Sequence, residues 1–569
     1  MRMINNLKGA KPPKVITDLR DLVKSGADVF GDKPLYFYKE NGETKEYSFK
    51  LLYDETLYIG TALSKLGLMG KGIAIIGNTH PRYTATYIST VNGGGYIVPV
   101  DPELTNDQTA YFMNFAEVEA VFYTDKPTEK INEIKNLLPN VKLFVAIQPK
   151  DDFISDEHNM TIDALVEMGK TELDNGYTDY IDYEIVPEKM SAIIFTSGST
   201  GTAKGVMLST KNLTAAVNAS CLSMSYDDRN TFVSVLPPHH TYEMTCGHLA
   251  LMNIGAQVLI NDSLKNALRN FKEFKPNALM LVPLFVETMH KKIWAEIKKK
   301  GIEGKLKFAM GFDNALLSVG IDIRKKLFKE IIDAFGGNLK SIVCGGASLS
   351  PELIKDFYSF GVTVLEGYGI TECAPLVAVN SPGKVRFRSV GQPVRGCTVK
   401  IDLTDSEEDT GEILVKGDNV MMGYYKNPEA TKEAFTEDGW FRTGDIGRMD
   451  KDGYIYITGR KKNVIILSNG KNIYPEEIEE YLIPIEIILE AIVISRENAA
   501  GEPTITAIAV PNMELLAGKN DDEIYELIKA EISEVNKKLP SYKQIHQIEI
   551  RKEEFERTTS KKIQRFKVK

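Results

Sequence analysis

Between Gly72 and about Asn380, short runs of β-branched and apolar residues recur at intervals long enough for helices. The strand-like runs are Gly72–Ile76, Gly95–Val100, Val118–Tyr123, Val141–Ile147, Ser191–Thr196, Phe232–Val235, Gln257–Ile260, Ala278–Val282, Lys340–Val343 and Val362–Glu366. Helix-length segments such as Lys211–Met224 and Leu284–Lys300 separate many of them. Alternation of this kind predicts α/β architecture with largely parallel sheets. So long a run predicts two sheets. From about residue 385 to 459 the pattern changes to short strands between Gly and Asp turns, such as TVKID and EILVKG, which predicts a small β subdomain. The remainder, 460–569, predicts a smaller α+β domain. Its elements are a helix at Pro475–Tyr481, strands at Ala491–Ser495 and Thr504–Val510, and a helix at Asp521–Leu539. The acidic cluster Asp402–Asp409 reads as a solvated hairpin tip.

Composition narrows the class. The 569 residues are 43% hydrophobic and 26% charged, which fits a folded globular chain and excludes disorder as the main state. Lys+Arg number 69 against 78 Asp+Glu, a net charge of −9 that argues against a protein built to coat nucleic acid. No apolar run reaches the roughly 18 residues of a membrane span, and Pro283 interrupts the best one, Ala278–Val286. The opening residues lack the apolar stretch of a secretory signal, and the five scattered cysteines form no CxxC. A reducing cytoplasm is the expected location. The dispersed histidines form no metal cluster.

The first segment with chemistry is Ala192–Val206, AIIFTSGSTGTAKGV. A β-branched strand runs into a Thr/Ser/Gly loop closed by Lys204. Glycines let consecutive backbone N–H groups turn toward an anion, hydroxyls add donors, and the lysine adds charge. The loop reads as a phosphate cradle, with a plain surface loop as the alternative. It is not a Walker A loop, because Gly205 stands where Ser or Thr would follow the lysine. Further along stand YGITE at Tyr368–Glu372, GWFRTGDIG at Gly439–Gly447, RKKNVIILSNGKNIYPEEIE from Arg460, and RTTSKKIQRFK from Arg557.

In this order and spacing the five motifs resemble the adenylate-forming superfamily: acyl-CoA synthetases, peptide-synthetase adenylation domains and luciferases. The resemblance spans nearly the whole chain. It implies that Thr196, Ser197, Gly198, Ser199, Thr200, Gly201 and Lys204 hold the triphosphate of ATP. It assigns Tyr368, Gly369 and Thr371 to the nucleotide, and Glu372, with Thr196, to Mg²⁺. Gly345, Gly346 and Ala347 resemble the adenine-facing turn. Asp445 matches the carboxylate that accepts the ribose hydroxyls, and Arg460 its companion. Alignment on Ile563 and Arg565 makes Lys562 the catalytic lysine, with Lys561 beside it where the family has glycine, and Glu556 where it has proline. The resemblance also implies a mobile C-terminal domain that turns about a hinge at Lys462, bringing Leu467–Lys471, with Gly470, toward the pantetheine of CoA.

The acyl side is read from Pro237–Glu243, PPHHTYE, which resembles the PLxHxxE segment of long-chain acyl-CoA synthetases and makes His240 the matching histidine. Met280, Leu281, Val282, Leu284 and Phe285 are candidates to wall an apolar tunnel, with simple core packing as the alternative. PPHHTYE contains no aspartate placed to pair a substrate ammonium. These features imply a fatty acyl-CoA ligase using ATP, Mg²⁺ and CoA. An acyl carrier protein as acceptor, or an aryl acid as substrate, stays open, and a non-catalytic nucleotide-binding protein is the remote third reading. The basic end Arg557–Lys569, six cations and no acid, leaves peripheral contact with the inner face of a membrane open as well. Oligomeric state is not fixed.

Overall fold

The computed structural model describes residues 12–40, 42–196, 203–318, 320–346, 349–404, 409–467, 472–498, 501–557 and 563–568. Two large mixed sheets dominate it, as the alternating pattern predicts. The nine-stranded sheet runs, edge to edge, through Gln392–Pro393, Leu376–Val379, Thr363–Gly369, Ser341–Gly345, Ala278–Leu281, Thr231–Ser234, Gln257–Ile260, Pro34–Glu40 and Glu43–Ser48. Its six interior strands, Thr363–Gly369 through Pro34–Glu40, pair in parallel, and its edges are antiparallel. The eight-stranded sheet runs through Gly423–Tyr424, Lys204–Ser209, Met190–Thr196, Tyr96–Val100, Gly72–Ile76, Val118–Tyr123, Leu143–Ala146 and Asn159–Thr161. The fully buried strands Gly72–Ile76 and Ala278–Leu281 are continuous apolar runs, as strands covered on both faces must be. Pro283, Pro351 and Pro475 each open a helix, where a missing N–H leaves no bond unmade.

Two features depart from the pattern-based expectation. The hairpin Pro34–Ser48 lies far upstream in sequence, yet it joins the nine-stranded sheet through Tyr36↔Val258 and Phe37↔Leu259. Its charged, alternating outer strand carries no helix period, so only long-range pairing assigns it a place. Lys204–Ser209 pairs antiparallel with Met190–Thr196, so the chain just past Lys204 continues as a strand and not as a helix.

Four antiparallel strands, Cys397–Asp402, Gly411–Gly417, Phe441–Met449 and Ile455–Arg460, form the small β sheet. From Ile465 onward the chain has a core of its own. There Ile478, Val493, Ile505, Ile528 and their neighbours bury the helices Pro475–Leu482 and Asp521–Asn536 against strands Ile488–Glu497, Pro503–Pro511 and Gln547–Ile550. Among the described residues no helix is long and apolar enough to cross a membrane.

Candidate active site

Parallel sheets place ligands at the carboxyl ends of their strands. In the nine-stranded sheet those ends carry PPHHTYE after Ser234, Gly346 after Gly345, and Ile370–Glu372 after Gly369. Gly346 sits at φ +103°, a conformation that a Cβ disfavours. The ring of Tyr242 lies under Gly345, where a Cβ would stand 3.8 Å from it, and its hydroxyl donates to the Val343 carbonyl at 3.0 Å. Gly369 is closed in harder still: a Cβ there would meet the Pro375 carbonyl oxygen at 2.4 Å.

Three chain segments meet at Glu372. Short strand Gly423–Tyr424 pairs with Lys204–Ser209, Tyr424 opposite Val206. That register sets the Tyr424 ring 4.7 Å from the Lys204 ammonium. The Tyr424 hydroxyl donates to Glu372 Oε1 at 3.0 Å. Burial and the facing Glu372 carboxylate push the phenol well above its ordinary value, so it stays a donor. Thr196 faces Lys204 in the hairpin register, its hydroxyl 3.5 Å from the Lys204 carbonyl. One end of the Ser/Gly-rich loop is thereby tied to the candidate metal carboxylate.

A second cluster lies on the small β sheet. Asp445 and Arg460 are direct cross-strand partners, and Arg460 Nε reaches Asp445 Oδ1 at 2.6 Å. Asp445 is buried, and its other oxygen accepts from the Tyr368 hydroxyl at 2.6 Å. Burial and the adjoining carboxylate raise the Tyr368 phenol. Tyr368 thus ties the nucleotide-side strand to the candidate ribose carboxylate. Just beyond, Lys461 pairs with Glu412 at 2.9 Å. Lys462 is held below the ordinary lysine value by partial loss of solvent and by Arg460.

The donor set suits a hard cation. Glu372 is a partly exposed carboxylate, Thr196 a hydroxyl, and among the described residues no three His, Cys, Asp or Glu gather as a metal cage. Magnesium is held in this way, by one or two carboxylates with substrate phosphates completing its shell.

On the acyl side, His240 is half-buried and its ring lies tilted against that of His239, 4.3 Å between centroids. His239 is buried, 3.7 Å from Asp101, and burial lowers it to about 4. The candidate tunnel residues do not form one wall. Met280 packs on one face of its strand and Leu281 on the other, in separate core clusters, while Leu284 is exposed. A period of two along the strand forces this division. Met280 instead borders a narrow cavity of about 10 Å³ with Cys221, Met224, Tyr226, Ala250, Leu251 and Ile254, room for no more than one water.

Sequence reasoning missed three groups. Tyr424 lies in a stretch without a motif. Glu412 is buried and collects Lys461, Arg442 and the Gly444 N–H. Glu243 and His248 face each other at 3.6 Å on the π-helix Tyr242–Leu249. Only the π-helical pitch puts residues five apart side by side.

Ser197, Gly198, Ser199, Thr200, Gly201, Ala347, Gly470, Lys561 and Lys562 lie outside the described residues. The flanks of Lys562 are described. Arg557 bridges to Ile563, and its Nε donates to Glu490 at 3.0 Å. Arg565 holds Glu479 and the Val493 carbonyl. Glu287, at the head of helix Pro283–Lys299, is raised by burial and drawn back by Lys291 and Arg557.

A parallel sheet that ends in a Gly-lined turn, a lysine-flanked polar loop tied to a carboxylate, and a buried Asp–Arg pair together define a nucleotide-handling α/β enzyme. The chain belongs to the AMP-binding enzyme family: the family model matches residues 23–425, and the model of the AMP-binding enzyme C-terminal domain matches 462–569. It is 27% identical over 595 aligned residues to the long-chain-fatty-acid–CoA ligase ACSBG2 of Gallus gallus, covering 95% of this chain and 77% of that protein. Among solved structures it resembles the anthranilate CoA ligase AuaEII in complex with anthranoyl-AMP (TM-score 0.75, 19% identity, 98% of this chain and 97% of that one). It also resembles ATP-bound MatB from Rhodopseudomonas palustris (TM-score 0.73, 21% identity, 97% and 98%). The two structural likenesses establish the fold.

Proposed function

We propose that the protein is an ATP-dependent, AMP-forming acid–thiol ligase. It activates a medium- or long-chain fatty acid as the acyl-adenylate, releasing pyrophosphate, and then passes the acyl group to CoA, releasing AMP. The observation that carries this reading is the Lys204–Tyr424–Glu372 chain, which couples the flank of the Ser/Gly-rich loop to an oxygen ligand. The Gallus gallus relative, named as a long-chain-fatty-acid–CoA ligase, supports the choice of acid.

A fatty acid is already ionised near neutral pH, so the first step needs no general base. The obstacle is the meeting of two anions. Lys204 and the Ser/Gly-rich stretch 197–201 would oppose the polyphosphate charge, and Lys562 would supply the cation for the reacting phosphate. Asp445 accepts the ribose hydroxyls with Arg460 and Tyr368 fixing its two oxygens. Gly345 and Gly346 leave the base a side-chain-free surface. Glu372 and Thr196 would hold Mg²⁺, which would supply charge neutralisation for the phosphates.

The reading divides the chain into an N-terminal domain, 1–459, and a mobile C-terminal domain, 460–569, turning at Lys462. Lys462 falls between the last strand of the small β sheet, Ile455–Arg460, and the separate core that begins at Ile465, which supports a hinge there. Rotation would withdraw Lys562 and bring Gly470 and its neighbours to the thiol.

The experiment is an acid panel from acetate to oleate, with CoA and an acyl carrier protein as alternative acceptors. The expected result is a kcat/KM that rises with chain length, peaks at C8 or longer, and requires CoA. A maximum at acetate or at an aryl acid refutes the fatty-acid assignment. Absence of acid-dependent ATP–pyrophosphate exchange refutes the chemistry.

A further inference from the structure

Helix Glu303–Ser318 carries none of the candidate site residues and has apolar residues on both faces. Its inner face, with Leu306, Ala309 and Met310, packs on the core beside helix Pro283–Lys299. Its outer face presents Phe308, 77% exposed, and Phe312, 52% exposed, one turn apart. Gly304, Gly311 and Ala315 share that face with Lys305 and are exposed, so the two rings stand among small neighbours. Scattered exposed apolar residues are ordinary, but two phenylalanines on one helix face with small neighbours form a patch.

Charge indicates what covers it. The chain as a whole carries −9, yet between residues 284 and 329 eleven Lys and Arg stand against five Asp and Glu. Lys299 precedes the helix, Lys305 lies in its first turn on the outer face, and Lys325 and Lys326 follow its far end; all four are exposed. None of these four makes an ion pair among the described residues. An acidic chain that gathers unpaired lysines around exposed aromatic rings has concentrated positive charge where apolar groups leave water. Amphipathic interfacial helices use this combination, rings entering the acyl boundary and lysines reaching anionic headgroups. Two exposed rings on one helix face suit a soft, continuous apolar phase, which needs no matching groove.

We propose that the outer face of helix Glu303–Ser318, flanked by Lys299, Lys305, Lys325 and Lys326, docks the protein on an anionic lipid bilayer. This surface is distinct from the basic end Arg557–Lys569. Docking would hold the enzyme where long-chain acids partition. The inference does not depend on the activity proposed above, because binding is read without ATP or acid.

The test is co-sedimentation of the full chain with vesicles of phosphatidylcholine alone and with about 30 mol% phosphatidylglycerol. Binding should require the anionic lipid and weaken with salt. Phe308→Ser with Phe312→Ser should lower the partition coefficient about tenfold or more. Lys305→Gln, Lys325→Gln and Lys326→Gln together should lower it about fivefold per lysine at low salt. Both variants should melt like the parent and activate hexanoate at the parent rate, since the changed side chains are exposed and remote from the site. No binding to anionic vesicles, or binding that both variants keep in full while removal of the cations at 557–569 abolishes it, overturns the proposal. So does a concentration-dependent dimer that the phenylalanine variant dissolves, which would assign the face to a second copy.

Discussion

Tyr424→Phe isolates one contact of the candidate site. The substitution keeps the ring 4.7 Å from Lys204 and deletes only the hydroxyl that donates to Glu372 at 3.0 Å. A hydrogen bond to a charged group is worth about 1.5–3 kcal/mol when nothing replaces it. Here Glu372 is partly exposed, so water can take the vacated position and the loss should fall near the lower end, about 1–2 kcal/mol. That corresponds to roughly 5- to 30-fold. Because Glu372 is the proposed Mg²⁺ ligand, the loss should appear in the Mg²⁺ dependence. The expected result is a 5- to 30-fold higher Mg²⁺ concentration for half-maximal ATP–pyrophosphate exchange, with the KM for the acid unchanged. Tyr424→Leu should add a further effect on the KM for ATP, because it also removes the ring beside Lys204, a contact worth about 0.5–2 kcal/mol. Exchange with normal Mg²⁺ dependence in Tyr424→Phe would refute the reasoning. An effect confined to the acid KM would do so too.

Lys562→Ala should cut acyl-adenylate formation by orders of magnitude and spare thioester formation from a preformed acyl-adenylate, with Lys561→Ala as the control; equal loss of both half-reactions counts against the rotating domain. Burial raises Glu243 from 4.5 to about 8 and lowers His248 from 6.5 to about 4. Between pH 6.5 and 8 the folded chain therefore keeps a proton on Glu243 that the unfolded chain has lost, so its contribution to stability falls as pH rises. Glu243→Gln should gain in melting temperature relative to the parent between pH 6.5 and 8, and a pH-independent difference would count against a protonated Glu243.

Much of the fold was written in local pattern. Gly72–Ile76, Val118–Tyr123 and Gln257–Ile260 form strands with the boundaries that their apolar runs predict, because these parallel strands are mostly buried and their apolar stretches are bounded by polar or glycine positions. The proline-opened helices and the two large sheets follow for the same local reasons. The motif-bearing loops at Gly346 and Tyr368–Glu372 were legible because special backbone and carboxylate chemistry restrict the residue types. What the sequence left undetermined depends on contacts between distant segments. The Pro34–Ser48 hairpin has no local signal for its partner, more than 200 residues away. Met280 and Leu281 looked like one wall, but a strand turns neighbours to opposite faces, and only the packed sheet shows which core each enters. Glu243 and His248 become neighbours through a π-helical pitch that a 3.6-residue reading does not anticipate. Tyr424 reaches both Lys204 and Glu372 because a two-residue strand adds to the edge of a sheet begun more than 200 residues earlier. Composition and periodicity act over one turn or one strand, and therefore determined the elements and the chemically restricted loops. The tertiary structure decided which of those loops share a site, because that choice belongs to the long-range pairing of buried edges.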